Sequence, residues 1–266
     1  MMADIKVFCV RTDLLAAKGL KPPKTPDEIL PHARVLAVKK AGKLELGGMG
    51  FATTNGEQDY FQAYLMLGGN ELWDEKLMPT YNTPLGIRTM KLLNTFIQEG
   101  LTFRSDEHSL AGSMFENGLS AMEIQGYGSW TNFEQKLKGK YAAAPMPGGV
   151  SNVGATFLCI HAKTKNPVEA VELLKFVQTR DNQRVIFENE GRVPSRRSNK
   201  DYFVARAPHN AVVYEGLQNV RGYGRMNKYF FDFLKYLRPA LESVYYGKAT
   251  PEEAFALAEK NYKAVA

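Results

Sequence analysis

The sequence predicts an α/β fold. Strand-like and helical patterns alternate along the chain, and several helix starts are marked by a capping residue followed by proline. No tandem repeat or low-complexity tract interrupts the alternation. At 266 residues the chain is long enough for one large or two ordinary domains. The pattern fits a three-layer core.

In chain order, the first strand candidate is the apolar run Lys6–Val10. Thr25-Pro26-Asp27-Glu28 has the form of a capping box with proline at the first helical position. Gly50–Thr53 is a second strand candidate. Thr83-Pro84 opens a helix whose Ile87, Met90, Leu93, Phe96 and Ile97 recur at helical spacing on one face, and Glu99-Gly100 ends it. Ser120–Gln125 and Tyr141–Pro145 read as strands. Pro145–Gly154, rich in Pro and Gly, is the best candidate for a crossover between substructures. A strand is expected at Ala155–Ile160. Asn166-Pro167 then opens one helix running to about Glu188 and burying Val171, Leu174, Phe176, Val177 and Ile186. Tyr229 to Tyr246 is an unusually aromatic helical stretch. Thr250-Pro251-Glu252-Glu253 repeats the capping box and starts the last helix.

Composition excludes several classes. With 44% hydrophobic and 23% charged residues the chain reads as an ordinary soluble globular protein. Its 34 basic and 28 acidic residues leave a net charge of +6, spread along the chain. The densest basic stretch, Arg192, Arg196, Arg197 and Lys200, lacks a nucleic-acid-binding motif, so no nucleic-acid partner is expected. Cys9 and Cys159 sit in apolar, strand-like contexts and read as two buried thiols rather than a metal site or a redox pair. Gly126-x-Gly128 and Gly222-x-Gly224 lack the full dinucleotide fingerprint. No cofactor and no metal is expected. No run of 18 apolar residues suggests a membrane span. Met1 to Lys6 lacks the apolar region of a signal peptide, which indicates the cytoplasm if that terminus is genuine.

Catalytic readings are thin. His32, His108, His161 and His209 are dispersed, so no His- or Cys-based constellation forms. Glu57 and Asp59 have the form of a carboxylate pair for glycoside processing, but hydroxyl recognition is the preferred reading and a solvated loop the plain one.

Four phrases occur in an order that carries a family resemblance. The first is Asp13 to Leu20 followed by Pro22-Pro23-Lys24-Thr25-Pro26-Asp27-Glu28. The second is Gly68-Gly69, then Asn82-Thr83-Pro84 with its helix to Gly100-Leu101. The third, and most specific, is Phe115-Glu116-Asn117-Gly118-Leu119-Ser120-Ala121-Met122-Glu123-Ile124-Gln125-Gly126, with Trp130 following. The fourth is Lys140 to Arg197, with Ala-Ala-Ala-Pro-Met-Pro-Gly-Gly, a strand, Asn166-Pro167, a helix and Gly191-Arg192-Val193-Pro194. Together they resemble the extracellular solute-binding proteins of ABC importers, of the maltose- and multiple-sugar-binding type (family 1). Cys9-Val10-Arg11 stands where that family usually has Tyr-Asn, and Pro26 where it has Trp.

The resemblance implies a type II periplasmic-binding-protein-like α/β fold. Residues 1–150 and 201–266 would form the C-terminal lobe, and 151–200 a segment of the N-terminal lobe, most of which is missing. It implies non-catalytic binding of a sugar or oligosaccharide in a cleft between lobes, a membrane permease as partner, and a periplasmic or extracellular location. A glycerol-phosphate-type ligand is a variant on the same fold. Sugars present C–H faces and hydroxyl edges, which call for aromatic faces and planar polar groups. The candidate ligand-binding residues are accordingly Glu57, Gln58, Asp59, Tyr60 and Phe61, then Tyr127 and Trp130, then Arg192, and finally Tyr223 and Arg225. Trp130 reads as a stacking face or as lobe packing, and Arg192 as a partner for an acidic ligand edge or as a solvent-facing arginine. With the first lobe missing, the Ala155–Ile160 strand is expected to have unpaired edges. Weak or no sugar binding by the chain alone follows, and self-association through the unpaired remnant becomes possible. A decayed lobe acting as an interaction protein is the remaining rival.

Overall fold

The structure is a computed structural model and describes residues 2–53, 57–69, 71–106, 113–222 and 228–266. Its elements in the N-terminal half are β1 (Met2–Arg11), α1 (Thr12–Ala17), α2 (Pro26–Leu36), β2 (Val38–Lys40), β3 (Lys43–Leu46), α3 (Glu57–Leu67), α4 (Pro84–Gln98), β4 (Met122–Gly126) and α5 (Trp130–Leu137). Next come β5 (Tyr141–Ala144), β6 (Ser151–Thr156), α6 (Pro167–Val177), α7 (Arg180–Glu190), β7 (Val193–Pro194), α8 (Lys200–Val204) and α9 (His209–Gly216). The chain ends with β8 (Val220–Arg221), α10 (Phe230–Tyr245) and α11 (Pro251–Lys263).

The ten residues of β1 organise everything else. Its C-terminal half pairs antiparallel with β4, from Lys6↔Gly126 to Val10↔Met122, and with β5, from Phe8↔Ala144 to Arg11↔Tyr141. Its first residues pair antiparallel with β6 (Met2↔Thr156, Ile5↔Val153) and with β7 (Ala3↔Val193). β8 joins β6 in parallel. Successive side chains of a strand point to opposite faces. Phe8 and Val10 therefore enter one buried cluster with residues of α2, α3, α4, α10 and α11. Ile5, Val7 and Cys9 enter another, with Phe133, Phe187, Phe203 and Val213 from α5, α7, α8 and α9. Helices cover both faces of the sheet, which is the three-layer arrangement the sequence predicted. A strand buried on both sides reads as a continuous apolar run, and Val7 to Val10 is one.

Several local expectations are corrected. The strand expected at Ala155–Ile160 lies earlier, at Ser151–Thr156, and has partners in β1 and β8. The edges expected to be unpaired are taken by the first residues of β1 on one side and by β8 on the other. Past β6 the backbone leaves the sheet, and Phe157 is 65% and Leu158 49% exposed. Cys159 is exposed there, unlike Cys9, which is buried. Gly50–Thr53 is not a strand. A single parallel bridge ties Gly50 to Glu123, where a Cβ would lie 2.4 Å from the Glu123 carboxylate. The short β2–β3 hairpin turns through Ala41 (φ 48°) and Gly42 (φ 78°), the two left-handed positions a tight hairpin needs.

The helix starts divide in two. Thr250 forms the full capping box with Glu253, and the Thr83 hydroxyl accepts from the Gly86 N–H at 3.2 Å. Thr25 makes no side-chain cap; the Glu28 carboxylate instead accepts from the Lys24 N–H at 2.7 Å. The single helix expected from Val168 to Glu188 is two, because Thr179 breaks it and caps α7 by accepting from Asn182. The face expected to be buried on α6 is open: none of its residues is buried, Val168 is 70% exposed and Phe176 64%.

Candidate functional site

The site builds from the first turn of α3. The apolar side of this helix is fixed by the core: Phe61 is fully buried, its ring centroid 5.3 Å from that of Phe255 on α11. Phe61 thus belongs to the interior, which corrects its place among the ligand-binding candidates. The preceding turn faces the other way. Gln58 is mostly buried, and its carbonyl oxygen accepts from Nε of Arg238 on α10 at 3.0 Å. Its amide donates to Oδ1 of Asp59 at 3.3 Å. The other carboxylate oxygen of Asp59 lies 3.8 Å from Nζ of Lys6 on β1. Three separate elements therefore deliver an ammonium, a carboxylate, an amide and a guanidinium to one place. Glu57 and Tyr60 share the same helix by backbone position; their side chains lie outside the described residues.

α10 extends this polar seam. Residues four apart lie on one helix face, and Arg238, Glu242 and Tyr246 follow that spacing along α10 and its C-cap. The Tyr246 hydroxyl donates to Asp106 Oδ1 at 3.2 Å and lies 3.3 Å from the Thr53 hydroxyl. Thr53 and Ser105 exchange hydrogen bonds of 2.9 Å each, and the Arg104 guanidinium lies 5.4 Å from the Tyr246 ring centre. Lys6, Arg238 and Tyr246 were not among the expected residues. The signal that could have found the last two is the polar 238-242-246 series on an otherwise aromatic helix.

The remaining candidates lie elsewhere. Tyr127 is 3% and Trp130 5% exposed, their rings stacked with centroids 5.7 Å apart, and Trp130 lies against His209 at 4.3 Å. The Tyr127 hydroxyl donates to Asn210 at 2.6 Å, and burial pushes its ionisation well above the ordinary tyrosine range. Burial also depresses the His209 imidazole to about 4, so it packs as a neutral ring. Trp130 packs here among the rings of Tyr127, Phe133, Tyr141 and His209. Arg192 follows the left-handed Gly191 that ends α7 and pairs with Glu190 at 3.3 Å, beside the opening residues of β1. Tyr223 and Arg225 lie outside the described residues. Among the described residues no group of three or more His, Cys, Asp or Glu side chains could hold a metal ion, and no helix is long and apolar enough to cross a membrane.

A sheet strung on one long central strand and packed by helices on both faces is the fold of the type II periplasmic-binding-protein class. The chain belongs to the family described as bacterial extracellular solute-binding protein, whose profile matches residues 2–212. It is 25% identical over 198 residues to a probable ABC transporter-binding protein of Deinococcus radiodurans, covering 68% of this chain and 47% of that one. The chain thus spans about half the length of that curated relative. Among solved structures it resembles the sugar-binding protein MalE from Xanthomonas citri (TM-score 0.85, 17% identity, 99% of this chain and 69% of that one). It also resembles maltose-bound T. maritima MalE3 (0.81, 21%, 100% and 71%) and a Thermotoga lettingae ABC transporter solute-binding protein bound with α-D-tagatose (0.82, 20%, 99% and 70%). At these identities the structures establish the fold.

Proposed function

We propose that this chain supplies the ligand-holding C-terminal lobe of an ABC importer's substrate-binding component, and that it takes a sugar or oligosaccharide without catalysis. The observation that carries the reading is the cluster of Lys6, Gln58, Asp59 and Arg238. Amide, carboxylate and guanidinium groups are planar and pair with adjacent hydroxyls, the edge chemistry a sugar offers. Solved neighbours of the same fold are described as bound to tagatose, maltose and mannobiose, which supports the ligand class. The natural setting is outside the cytoplasmic membrane, with a permease as the docking partner. In the alternative enzyme reading, Asp59 would act as an acid or base; its pairing with Lys6 and Gln58 suits a fixed hydrogen-bonding role better.

One lobe contacts one side of a ligand, so affinity for this chain alone is expected to be weak. Isothermal titration with maltose, mannobiose and tagatose tests the reading. Arg238→Ala should weaken binding of the responding sugar by about 10- to 100-fold, the worth of hydrogen bonds to a charged group, measured at a temperature where the variant remains folded. Unchanged affinity in that variant would move the site elsewhere.

Segment 151–200 is proposed as part of a second lobe. Support comes from the exposed apolar residues Phe157 and Leu158 after β6 and Val168, Val171, Leu173 and Phe176 on α6, a concentration that marks a surface made to be covered. About 30% of the length of each solved neighbour has no counterpart in this chain, and such a portion is the natural cover. For the chain of residues 1–266 by itself, a second copy is expected on the same residues. Sedimentation velocity should show a concentration-dependent dimer that Phe176→Glu returns to monomer. A monomer at every concentration would remove the self-association.

A further inference from the structure

A second candidate site lies at the C-terminal end of β1. Arg11, the last residue of that strand, shares a recess of about 340 Å³ with Glu116, Asn117 and Gly118 and with Lys136, Lys138 and Lys140. Three segments build it, and each is tied down. Arg11 pairs with Tyr141 in the sheet and donates its backbone N–H to Ala121 at 2.8 Å. The 116–118 turn closes through Gly118, whose N–H donates to Phe115 at 3.0 Å. The α5–β5 connection passes through two left-handed residues, Lys138 (φ 49°) and Gly139 (φ 74°). Its Lys140 carbonyl accepts from the Thr12 N–H at 3.1 Å. Basic side chains at alternate positions 136, 138 and 140 are thus held on a short, fixed scaffold.

The charges in this recess do not balance. Arg11 is matched by Asp13 in a two-bond fork of 2.9 and 2.7 Å, and it holds that carboxyl below its usual range. Lys136 is matched by the mostly buried Glu116 at 2.8 Å and also reaches Asn117 at 3.4 Å. Lys138 and Lys140 have no ion-pair partner among the described residues and carry the surplus. The C-terminus of α5 favours nearby cations, which accounts for Lys136 in its last turn. Lys140 lies beyond that turn and lines the recess with Arg11.

We infer that this recess binds a phosphate-class oxyanion, with Lys138 and Lys140 as its charge partners and the ion-paired Arg11 and Lys136 lining it beside them. Phosphate oxygens accept from several lysine and arginine N–H groups at once, and charge-assisted bonds of this kind are the strong ones. The site is separate from the sugar-facing cluster. Lys6 and Arg11 are five residues apart on an extended strand, roughly 17 Å.

The test titrates inorganic phosphate into the intact chain by calorimetry, beside the variants Lys138→Gln with Lys140→Gln and Arg238→Ala. Saturable binding is expected, weakening as sodium chloride rises. The double variant should lose it by at least about tenfold, since it removes two charge-assisted contacts, while Arg238→Ala leaves it unchanged. A parallel arm uses vesicles of phosphatidylglycerol against vesicles of phosphatidylcholine. Phosphate binding together with phosphate-competed capture on the anionic vesicles assigns the oxyanion to a lipid headgroup; phosphate binding without vesicle capture assigns it to free solution. No saturable phosphate binding overturns the inference, whether or not vesicles are captured. Equal affinity in the double variant overturns it too, because the lysines would then serve only the helix end and the ion would be an adventitious ion only.

Discussion

Trp130→Ala is expected to destabilise the protein by about 3–5 kcal/mol, the range for deleting a large aromatic from a core. Four rings surround this side chain: Tyr127 at 5.7 Å, Phe133 at 5.5 Å, Tyr141 at 5.3 Å and His209 at 4.3 Å between centroids. Its indole N–H makes no hydrogen bond among the described residues, so the loss is one of packing and burial. The hole would sit between α5, α9 and the β1 face that carries Val7 and Cys9, with little freedom to collapse. Urea unfolding gives the stability. Sugar titration, at a temperature where the variant remains folded, gives the second readout and should match the unaltered protein. A variant of normal stability that loses sugar affinity would return Trp130 to the ligand.

Gly86→Ala should be nearly as damaging, for a different reason. Gly86 lies in the first turn of α4, and a Cβ there would stand 1.9 Å from the carbonyl oxygen of Tyr81 and 2.6 Å from its carbonyl carbon. Those atoms are backbone, so relief requires moving the helix start away from the fully buried Tyr81 ring, which packs on Phe233 and Phe255. A cost on the order of 3 kcal/mol is expected, at the upper end for forced overpacking. For a chain of this size that lowers the melting temperature by roughly 6–12 °C. Gly128→Ala is the control: nothing lies within 4 Å of the added carbon, and the change should fall within about 0.5 kcal/mol of zero. Equal melting temperatures for the two variants would show that the α4 start yields easily.

The residues that were legible in the sequence share a physical origin. Cap-proline starts at Thr83 and Thr250 work because their partners are three residues away, and both were found as read. The apolar stripe on α4 was legible because helical period and one buried face are local facts, and Met90, Leu93 and Phe96 are buried. The strand at Tyr141 was placed correctly and the one at Ser151 a few residues late, because a Gly-containing segment takes its boundaries from its partner, here β1.

The candidate site was legible only by neighbourhood. Gln58 and Asp59 are legible beside Phe61, because one turn of helix brings polar and apolar residues together in sequence while pointing them apart. No local spacing ties Lys6 or Arg238 to Gln58 and Asp59. Arg238 is 180 residues from Gln58 in sequence, and no spacing rule reaches that far. α6 shows the opposite case. Its apolar residues have the composition of a buried face, and only the tertiary structure shows that nothing in the described chain covers them.

The sequence alone determined the α/β class, the proline-marked helix starts, the absence of a long apolar span and the family resemblance, because each rests on composition or on spacings of a few residues. The tertiary structure alone decided that β1 is the shared axis of the sheet, that Trp130 is core, that Lys6, Gln58, Asp59 and Arg238 meet, and that the α6 face stays open. These are contacts between distant parts of the chain, selected by which faces the packed layers turn inward, and that choice belongs to the whole fold rather than to any segment of it.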